Sequence, residues 1–161
     1  MQLKYRDLCQ NEKDIPLFSQ AWWLDAVVGA ENWGVSLVEK SGEIAAALPY
    51  TINRKWGMTK ISQPVLTPAL GPWFKIYAQK NTQRFAMEKE FLETLFAQLP
   101  PYSLYRQNWH YSAQNWLPLY WQDFEQYTQY SYVINDLSDL DAVWDNFASR
   151  ARTTIRSAQN K

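Results

Sequence analysis

The sequence predicts an α+β domain in which a mixed, mainly antiparallel central sheet is flanked by helices. Three observations predict it. Apolar residues alternate with polar ones after residue 43, apolar residues recur at helical spacing over residues 81–99, and 47% hydrophobic with 20% charged residues is typical of a folded domain. The predicted order is helix, three antiparallel strands, loop, long helix, strand, short helix and strand.

The first predicted helix covers the segment "PLFSQAWWLDAVVG", residues 16–29. Ser19 is a suitable N-cap, and Gly29 can end the helix because glycine readily adopts the left-handed conformation found there. One apolar face of this helix is predicted to hold Trp22, Trp23, Ala26 and Val27.

Three antiparallel strands are predicted next, over residues 33–40, from residue 43 onward, and over residues 58–62. "SG" at 41–42 and "WG" at 56–57 are turn signals. In the long second strand, period two places five apolar residues on one half-buried face, namely Ile44, Ala46, Leu48, Tyr50 and Ile52. Pro49 lacks an N–H donor, so an edge or a β-bulge is expected there.

The loop "PVLTPALGPWF", residues 64–74, raises the question of phosphate binding, because it joins a strand to a helix. Its prolines at 64, 68 and 72 have no N–H to donate, and Gly71 is its one glycine. About seventeen residues separate Pro64 from the helix start near Asn81. The loop is therefore predicted to be a stiff wall that presents Leu66, Leu70, Trp73 and Phe74, either as a lid over the sheet or as the lining of a cleft.

The long helix is predicted over residues 81–99, with one apolar face formed by Phe85, Leu92, Leu95, Phe96 and Leu99. A strand over residues 102–109, an irregular or short helical segment over 114–124 and a strand over 126–134 follow. Ser138 and Asp141 resemble a capping box for one last helix that reaches residue 161. Its end is basic, with Arg150, Arg152, Arg156 and Lys161.

Charge and motifs exclude several function classes. Sixteen basic and sixteen acidic residues cancel, so nothing drives general binding to nucleic acid. No apolar run is long enough to span a bilayer, and Cys9 is the single cysteine, which together favour a cytoplasmic location. His110 is the single histidine, so a multi-histidine metal site is excluded, and no nucleotide-binding or G-x-S-x-G motif is present.

Nine tryptophans, ten tyrosines and seven phenylalanines are unusually many for 161 residues. Large aromatic side chains fill cores, and they also stack on sugar rings and form interfaces. Either a wide aromatic core or a partly exposed surface for a ligand accounts for them.

Four segments, "PLFSQAWWLDAVVG", "GVSLVEKSGEIAAALPY", "LTPALGPW" and "WDNFASRARTTIRSAQNK", together resemble the N-terminal half of Fem-type transferases. These tandem GNAT-like proteins include the aminoacyltransferases that form peptidoglycan bridges. The resemblance covers about residues 16–161. It implies a GNAT-like N-terminal domain over residues 1–149, with residues 150–161 starting a basic helix that leads toward a second GNAT-like half.

The resemblance implies an N-acyltransferase, which moves an acyl or aminoacyl group to an amine. Acyl-CoA or aminoacyl-tRNA would then bind the second half, with no cofactor held by this chain. Tyr50, Trp73 and Arg152 are the candidate residues near the substrate cleft. Expected partners are the C-terminal half and, through uncovered apolar faces, a second copy. A stand-alone module that binds glycan, peptidoglycan or protein is the alternative, and acyl transfer by this chain alone is the third hypothesis.

Overall fold

The computed structural model describes residues 1–75 and 80–160, and it has the predicted α+β architecture. Five strands form one mostly antiparallel sheet with helices around it. The elements are α1 (Gln2–Asn11), α2 (Ala21–Val28), β1 (Trp33–Lys40), β2 (Glu43–Lys55), β3 (Met58–Ser62), β4 (Trp73–Phe74), α3 (Asn81–Ala97), β5 (Leu104–Arg106), α4 (Leu117–Tyr120), α5 (Leu140–Asn146) and α6 (Ser149–Gln159).

The chain divides into two compact units, Met1–Glu125 and Gln126–Lys161. The first unit contains the sheet, and the second contains α5 and α6. The expected GNAT-like domain over residues 1–149 and basic helix over 150–161 refer to a second half of the protein, and they stay predictions.

Helix α1 was not predicted from the sequence, and tertiary contacts account for it. Tyr5 is fully buried, and its hydroxyl donates to the carbonyl of Ser19 at 2.7 Å. Arg6 makes a two-pronged ion pair with Asp25 of α2, and the indole of Trp33 donates to the same carboxylate at 3.0 Å. These contacts join α1 to α2 and to the start of β1.

Helix α2 differs from the prediction at its start and on its buried side. Ser19 belongs to a short 3₁₀ turn, Leu17–Ser19, so it is not the N-cap, and Gln20 occupies that position. The buried residues are Ala21 and Leu24, whereas Trp22 is 56% exposed. The apolar face was assigned wrongly because "AWWLDAVV" is apolar almost all round and gives little phase information. Gly29 ends the helix as predicted, at φ +84°.

Strands β1, β2 and β3 were predicted correctly as consecutive antiparallel partners. The β-bulge is not at Pro49, because Val38 pairs with Ala46 while Glu39 pairs with Ile44, which leaves Ala45 as the extra residue. The bulge reverses the alternation, so Ile44 packs in one core while Ala46, Leu48, Tyr50 and Ile52 pack in the other. The prediction that Ile44 shares their face was therefore wrong.

Pro49 is fully buried inside β2, opposite Val35 of β1. Its carbonyl accepts a hydrogen bond from the side-chain amide of Gln107 at 2.9 Å. The backbone N and C=O of one strand residue point to the same edge, so the missing N–H also faces Gln107 and not β1. Pro49 therefore costs no bond with β1. On its other side no strand pairs with it, because β4 pairs with Ala46 and Ala47 and β3 with Thr51–Lys55, so the expectation of a local edge was correct.

The sheet is covered on both faces, so the centre of β2 is buried throughout Ala45–Thr51 and not half-buried as predicted. One core lies against α3 and α4 and contains Leu48, Ile61, Leu92 and Leu95. The other lies against α1 and α2 and contains Tyr5, Leu24, Leu37 and Trp73.

Helix α3 buries Phe91, Leu92, Leu95 and Phe96, in agreement with three of the five predicted residues. Leu99, just after the helix, is also buried, whereas Phe85 is 48% exposed and was assigned wrongly. Gln98 covers the outer edge of β1, because its amide accepts from Leu37 N at 3.1 Å and donates to Leu37 O at 2.9 Å. The Gln98 side chain thus pairs the backbone N–H and C=O of Leu37, which on an open sheet edge would be available to a strand of another chain.

The last segments differ most from prediction. Residues 126–134 have no regular secondary structure, although a strand was predicted, because β-propensity forms a strand only where a neighbouring strand completes the hydrogen bonds. The final helix is broken at Phe147 and Ala148, whose ψ angles of 141° and 142° are extended, so α5 and α6 are separate. The N-cap of α5 is Asp139, which accepts from Ala142 N at 3.0 Å, and not Ser138. Lys161 lies outside the described residues.

Candidate functional site

The proline-rich loop is a packed wall of the domain. Leu70 and Trp73 are 1% and 7% exposed, and Thr67 is buried with its hydroxyl accepting from the indole of Trp23 at 3.0 Å. Leu66, in contrast, is 79% exposed. The lid interpretation is therefore confirmed for Leu70 and Trp73, and Leu66 projects outward.

The same loop extends the parallel part of the sheet. Strand β5 runs parallel to β3, and beyond these strands Leu70 forms a parallel bridge with Trp109. Leu70 N donates to Asn108 O at 2.7 Å, and Leu70 O accepts from His110 N at 2.9 Å. The backbone donor of Leu70 is thus occupied, and the prolines at 64, 68 and 72 have no N–H to donate to a phosphate.

Gly71 is required where the loop passes Trp109. Its φ is +96°, and a Cβ added there would lie 2.6 Å from the indole ring of Trp109. The missing side chain thus lets the backbone of the loop approach the indole of Trp109 closely.

The structure does not bring Tyr50 and Trp73 together. Trp73 pairs with Ala47 and lies in the core next to α1 and α2, whereas Tyr50 lies in the core next to α3. They therefore occupy opposite faces of the sheet. Tyr50 is 8% exposed, and burial raises the pKa of its phenol, which keeps the hydroxyl neutral at physiological pH.

Arg152, the third candidate, lies in α6 of the second unit. Its guanidinium is 3.3 Å from the carbonyl oxygen and 3.5 Å from the carboxylate of Asp145. Within the same unit, Arg156 lies over the ring of Trp144 at 5.3 Å, and Trp144 contacts Phe147 edge-on at 6.1 Å. Both arginines thus help to hold α6 against α5.

A groove of about 750 Å³ lies between the start of α3 and the segment around α4. We call it the α3–α4 groove. Its apolar lining includes Phe85, Leu117 and Trp121, which are 48%, 47% and 59% exposed. Three large apolar side chains that face a concave, open surface provide area on which a flat ligand can stack.

Charged residues of α3 complete one side of the α3–α4 groove. Arg84 lies 3.5 Å from Glu88 and 5.0 Å from the ring centroid of Phe85. Lys89 lies 5.4 Å from the ring centroid of Trp121. These cation–π contacts orient the two aromatic rings, and each is worth about 0.5–1 kcal/mol at an exposed position.

Polar residues form the opposite side of the α3–α4 groove. Asn115 donates to Phe85 O at 3.4 Å, and Gln114 donates to Tyr111 O at 3.2 Å. Both amides line the groove, as does Ser112. Aromatic surface beside amide and hydroxyl groups suits a ligand with an apolar face and several hydroxyls.

His110 lies just before the residues that form the polar side of the groove, and its side chain contacts the next two residues of the turn. Nδ1 accepts from Ser112 N at 3.3 Å and lies 2.8 Å from Ser112 Oγ, while the ring stacks on Tyr111 at 4.1 Å. Burial lowers the pKa of this imidazole, so the neutral form is favoured. These contacts close the turn before α4.

Sequence reasoning missed the α3–α4 groove. Phe85 lies seven residues before Leu92, so helical periodicity placed it on the buried face. Its actual surroundings depend on residues 112–121, which are about thirty positions away in the sequence. No local signal could have revealed this.

No family model matches the chain, and neither the curated proteins nor the solved structures contain a significant match to it. Over residues 1–75 and 80–160, no cluster of three or more potential metal ligands occurs. Within the same residues, no helix has the length and apolar character needed to cross a membrane.

Proposed function

We propose that this chain is the N-terminal GNAT-like half of a Fem-like N-acyltransferase, which transfers an acyl or aminoacyl group to an amine. One observation carries the proposal. The chain passes from β3 through the proline-rich loop, β4 and the long helix α3 to β5, which pairs parallel to β3 in a mostly antiparallel sheet. This layout is compatible with the GNAT-like fold that the sequence resembles.

In this proposal, the chain shapes the acceptor side and supports the fold, while the second half binds the acyl donor. The proline-rich loop supports this division of roles, because Leu70 is bridged to Trp109 and the three prolines have no N–H to donate to a pyrophosphate. The α3–α4 groove, with Phe85 and Trp121, is the part of this chain we assign to acceptor binding.

The first test is the intact mass of the protein from its native cell. A mass near twice 19.0 kDa is expected, and the full protein should then transfer an acyl group from acyl-CoA or aminoacyl-tRNA to an amine. A native mass of 19.0 kDa would refute the assignment to one half of a larger enzyme.

Equilibrium dialysis against acetyl-CoA tests the division of roles separately. We expect no binding by this chain and binding by the full protein. Saturable binding by the isolated chain would show that it carries its own donor site, as the third hypothesis requires.

A stand-alone glycan-binding module is the second candidate, and the exposed rings of the α3–α4 groove favour it. Aromatic rings stack on the apolar faces of sugars. This function predicts saturable fluorescence changes with oligosaccharides by this chain alone, abolished by Trp121→Ala and retained by Trp56→Ala, whose indole lies outside the groove.

A further inference from the structure

The turn between β2 and β3 holds a tryptophan in an unfavourable backbone conformation. Lys55 pairs with Met58, so Trp56 and Gly57 form a two-residue loop, with φ angles of +50° and +74°. Positive φ at both positions defines a type I′ turn, whose first position favours asparagine, aspartate or glycine. A bulky side chain at positive φ is strained, so local stability does not explain the tryptophan.

The side chain of Trp56 is also exposed. It is 84% accessible, and the ammonium of Lys55 lies 4.6 Å from its ring centroid. A strained and exposed indole buries little area within its own chain. It is therefore available for contact with something outside the chain.

Neighbouring residues give this hairpin end one mixed basic and apolar face. Residues opposite each other in a sheet share a face, and alternate residues along a strand do too. Lys55 pairs with Met58, and Lys60 pairs with Leu104 of β5, which places all four side chains on one face. Met58 is 56% exposed and Leu104 is 52% exposed.

We call the end of the hairpin the tip surface, formed by Trp56, Lys55, Met58, Lys60 and Leu104. Arg54, on the opposite face of the hairpin, adds a third cation to this end of the sheet, and residues 52–61 contain no acidic side chain. The net charge of zero for the whole chain conceals this local concentration of positive charge.

We propose that the tip surface docks onto an anionic lipid membrane surface. Lysine ammonium groups would approach the headgroup phosphates, and the indole would lie in the interfacial region that tryptophan prefers. Met58 and Leu104 favour lipid over nucleic acid, because aliphatic side chains gain from contact with acyl chains and cannot stack on bases as aromatic rings do. This proposal does not depend on the proposed function.

Cosedimentation of the full chain with vesicles tests the proposal. We expect binding to phosphatidylcholine vesicles that contain phosphatidylglycerol, weakened by salt, and little binding to phosphatidylcholine alone. The double substitution Lys55→Gln with Lys60→Gln should lower partitioning about 25-fold, since each basic residue near the surface contributes roughly a five-fold factor. Trp56→Ser should lower it about ten-fold through lost apolar contact.

Two matched controls separate docking from general effects. Lys13→Gln with Lys40→Gln changes the net charge equally at exposed lysines elsewhere and should leave partitioning unchanged. Trp56→Ser with Ser41→Trp moves the indole to the equivalent turn of the other hairpin, and this change should not restore binding. Circular dichroism of each variant confirms that it is folded.

Three outcomes would overturn the proposal. One is the absence of binding to anionic vesicles, and another is equal binding by all the variants. The third is loss of binding with the lysine substitutions alone, together with equally tight binding of the chain to heparin. In that case the tip surface would recognise polyanions and not a lipid interface.

Discussion

The two hairpins of the sheet share strand β2 and the same turn geometry, yet they differ in what they bury. The β1–β2 turn places Ser41 and Gly42 at φ +53° and +82°, and the β2–β3 turn places Trp56 and Gly57 at nearly the same angles. Both turns and the residues next to them are exposed. Away from its turn, the β1–β2 hairpin is buried along most of both strands, with β2 buried over Ala45–Thr51, whereas β3 buries Ile61 alone. The first hairpin is therefore the centre of the fold, and the second is exposed over most of its length.

The two turns show that similar backbone angles can carry very different side chains, serine in one and an exposed tryptophan in the other. Backbone geometry demands a small or polar residue at the first turn position, and Ser41 satisfies that demand. Trp56 does not, so its presence is better explained by what the side chain can contact. Stability should therefore respond strongly to changes in the first hairpin and weakly to changes at the end of the second.

Truncating the core should give the largest effect. Leu48→Ala removes a fully buried side chain from the centre of β2, and we expect a loss of about 2–5 kcal/mol in the free energy of unfolding. Met58→Ala, at the exposed end, should change it by less than about 0.5 kcal/mol. Urea unfolding measures both, and similar losses would contradict the contrast between the hairpins.

The glycines sharpen the same comparison. Gly71→Ala adds a Cβ at positive φ that collides with Trp109, so we expect a loss of about 3 kcal/mol from strain and overpacking together. Gly57→Ala, also at positive φ, meets open space and should cost about 1 kcal/mol. If both variants unfold at the same urea concentration, the collision of the added Cβ with Trp109 does not contribute to the loss of stability.

The ion pair between Arg6 and Asp25 should make the free energy of unfolding depend on pH. The hydrogen bond from Arg6 is the main cause that lowers the pKa of Asp25, with a further contribution from Trp33. A carboxylate with a lowered pKa contributes stability above its unfolded pKa of about 3.9, and that contribution is lost as the pH falls through the folded pKa.

Asp25→Asn should remove that contribution, at a cost of about 1 kcal/mol near pH 7, because both partners are partly exposed. The difference in unfolding free energy between wild type and variant should shrink as the pH falls below 4. Asp14→Asn, which changes the charge equally at an exposed position, serves as the control. A difference that stays constant with pH would show that Asp25 acts through packing and not through its charge.

The smallest effect, of opposite sign, is expected at the second turn. Trp56→Asn should raise the free energy of unfolding by about 0.5–1 kcal/mol, because asparagine tolerates positive φ far better than tryptophan. Ser41→Asn, the matched change in the other hairpin, should have almost no effect. A loss of stability in Trp56→Asn would mean that the indole contributes contacts to the fold.

Local patterns were sufficient for the strands β1 to β3 and for the existence of α3. Alternation and the glycine turns determine pairing between neighbouring strands, because those contacts are close in the sequence. Patterns failed for α1, for the buried side of α2 and for residues 126–134. In each case the outcome depends on contacts with residues distant in the sequence, such as the hydrogen bond from the hydroxyl of Tyr5 to the carbonyl of Ser19.

The candidate site was less predictable than the fold. Tyr50 and Trp73 were chosen as large aromatic residues near a presumed cleft, and the structure places them in separate cores. Phe85 and Trp121 form the α3–α4 groove only because two remote segments meet there. Aromatic content reveals that such surfaces can exist, but it does not reveal where.

By itself, the sequence determined the α+β class, the hairpins and the long helix, because these follow from local periodicity and from turn residues. The tertiary structure alone decided the bulge at Ala45, the bridge between Leu70 and Trp109, the break between α5 and α6, and which aromatic residues are exposed. The physical reason is that burial and hydrogen-bond pairing depend on two segments of the chain at once, whereas secondary-structure propensity depends on one segment alone.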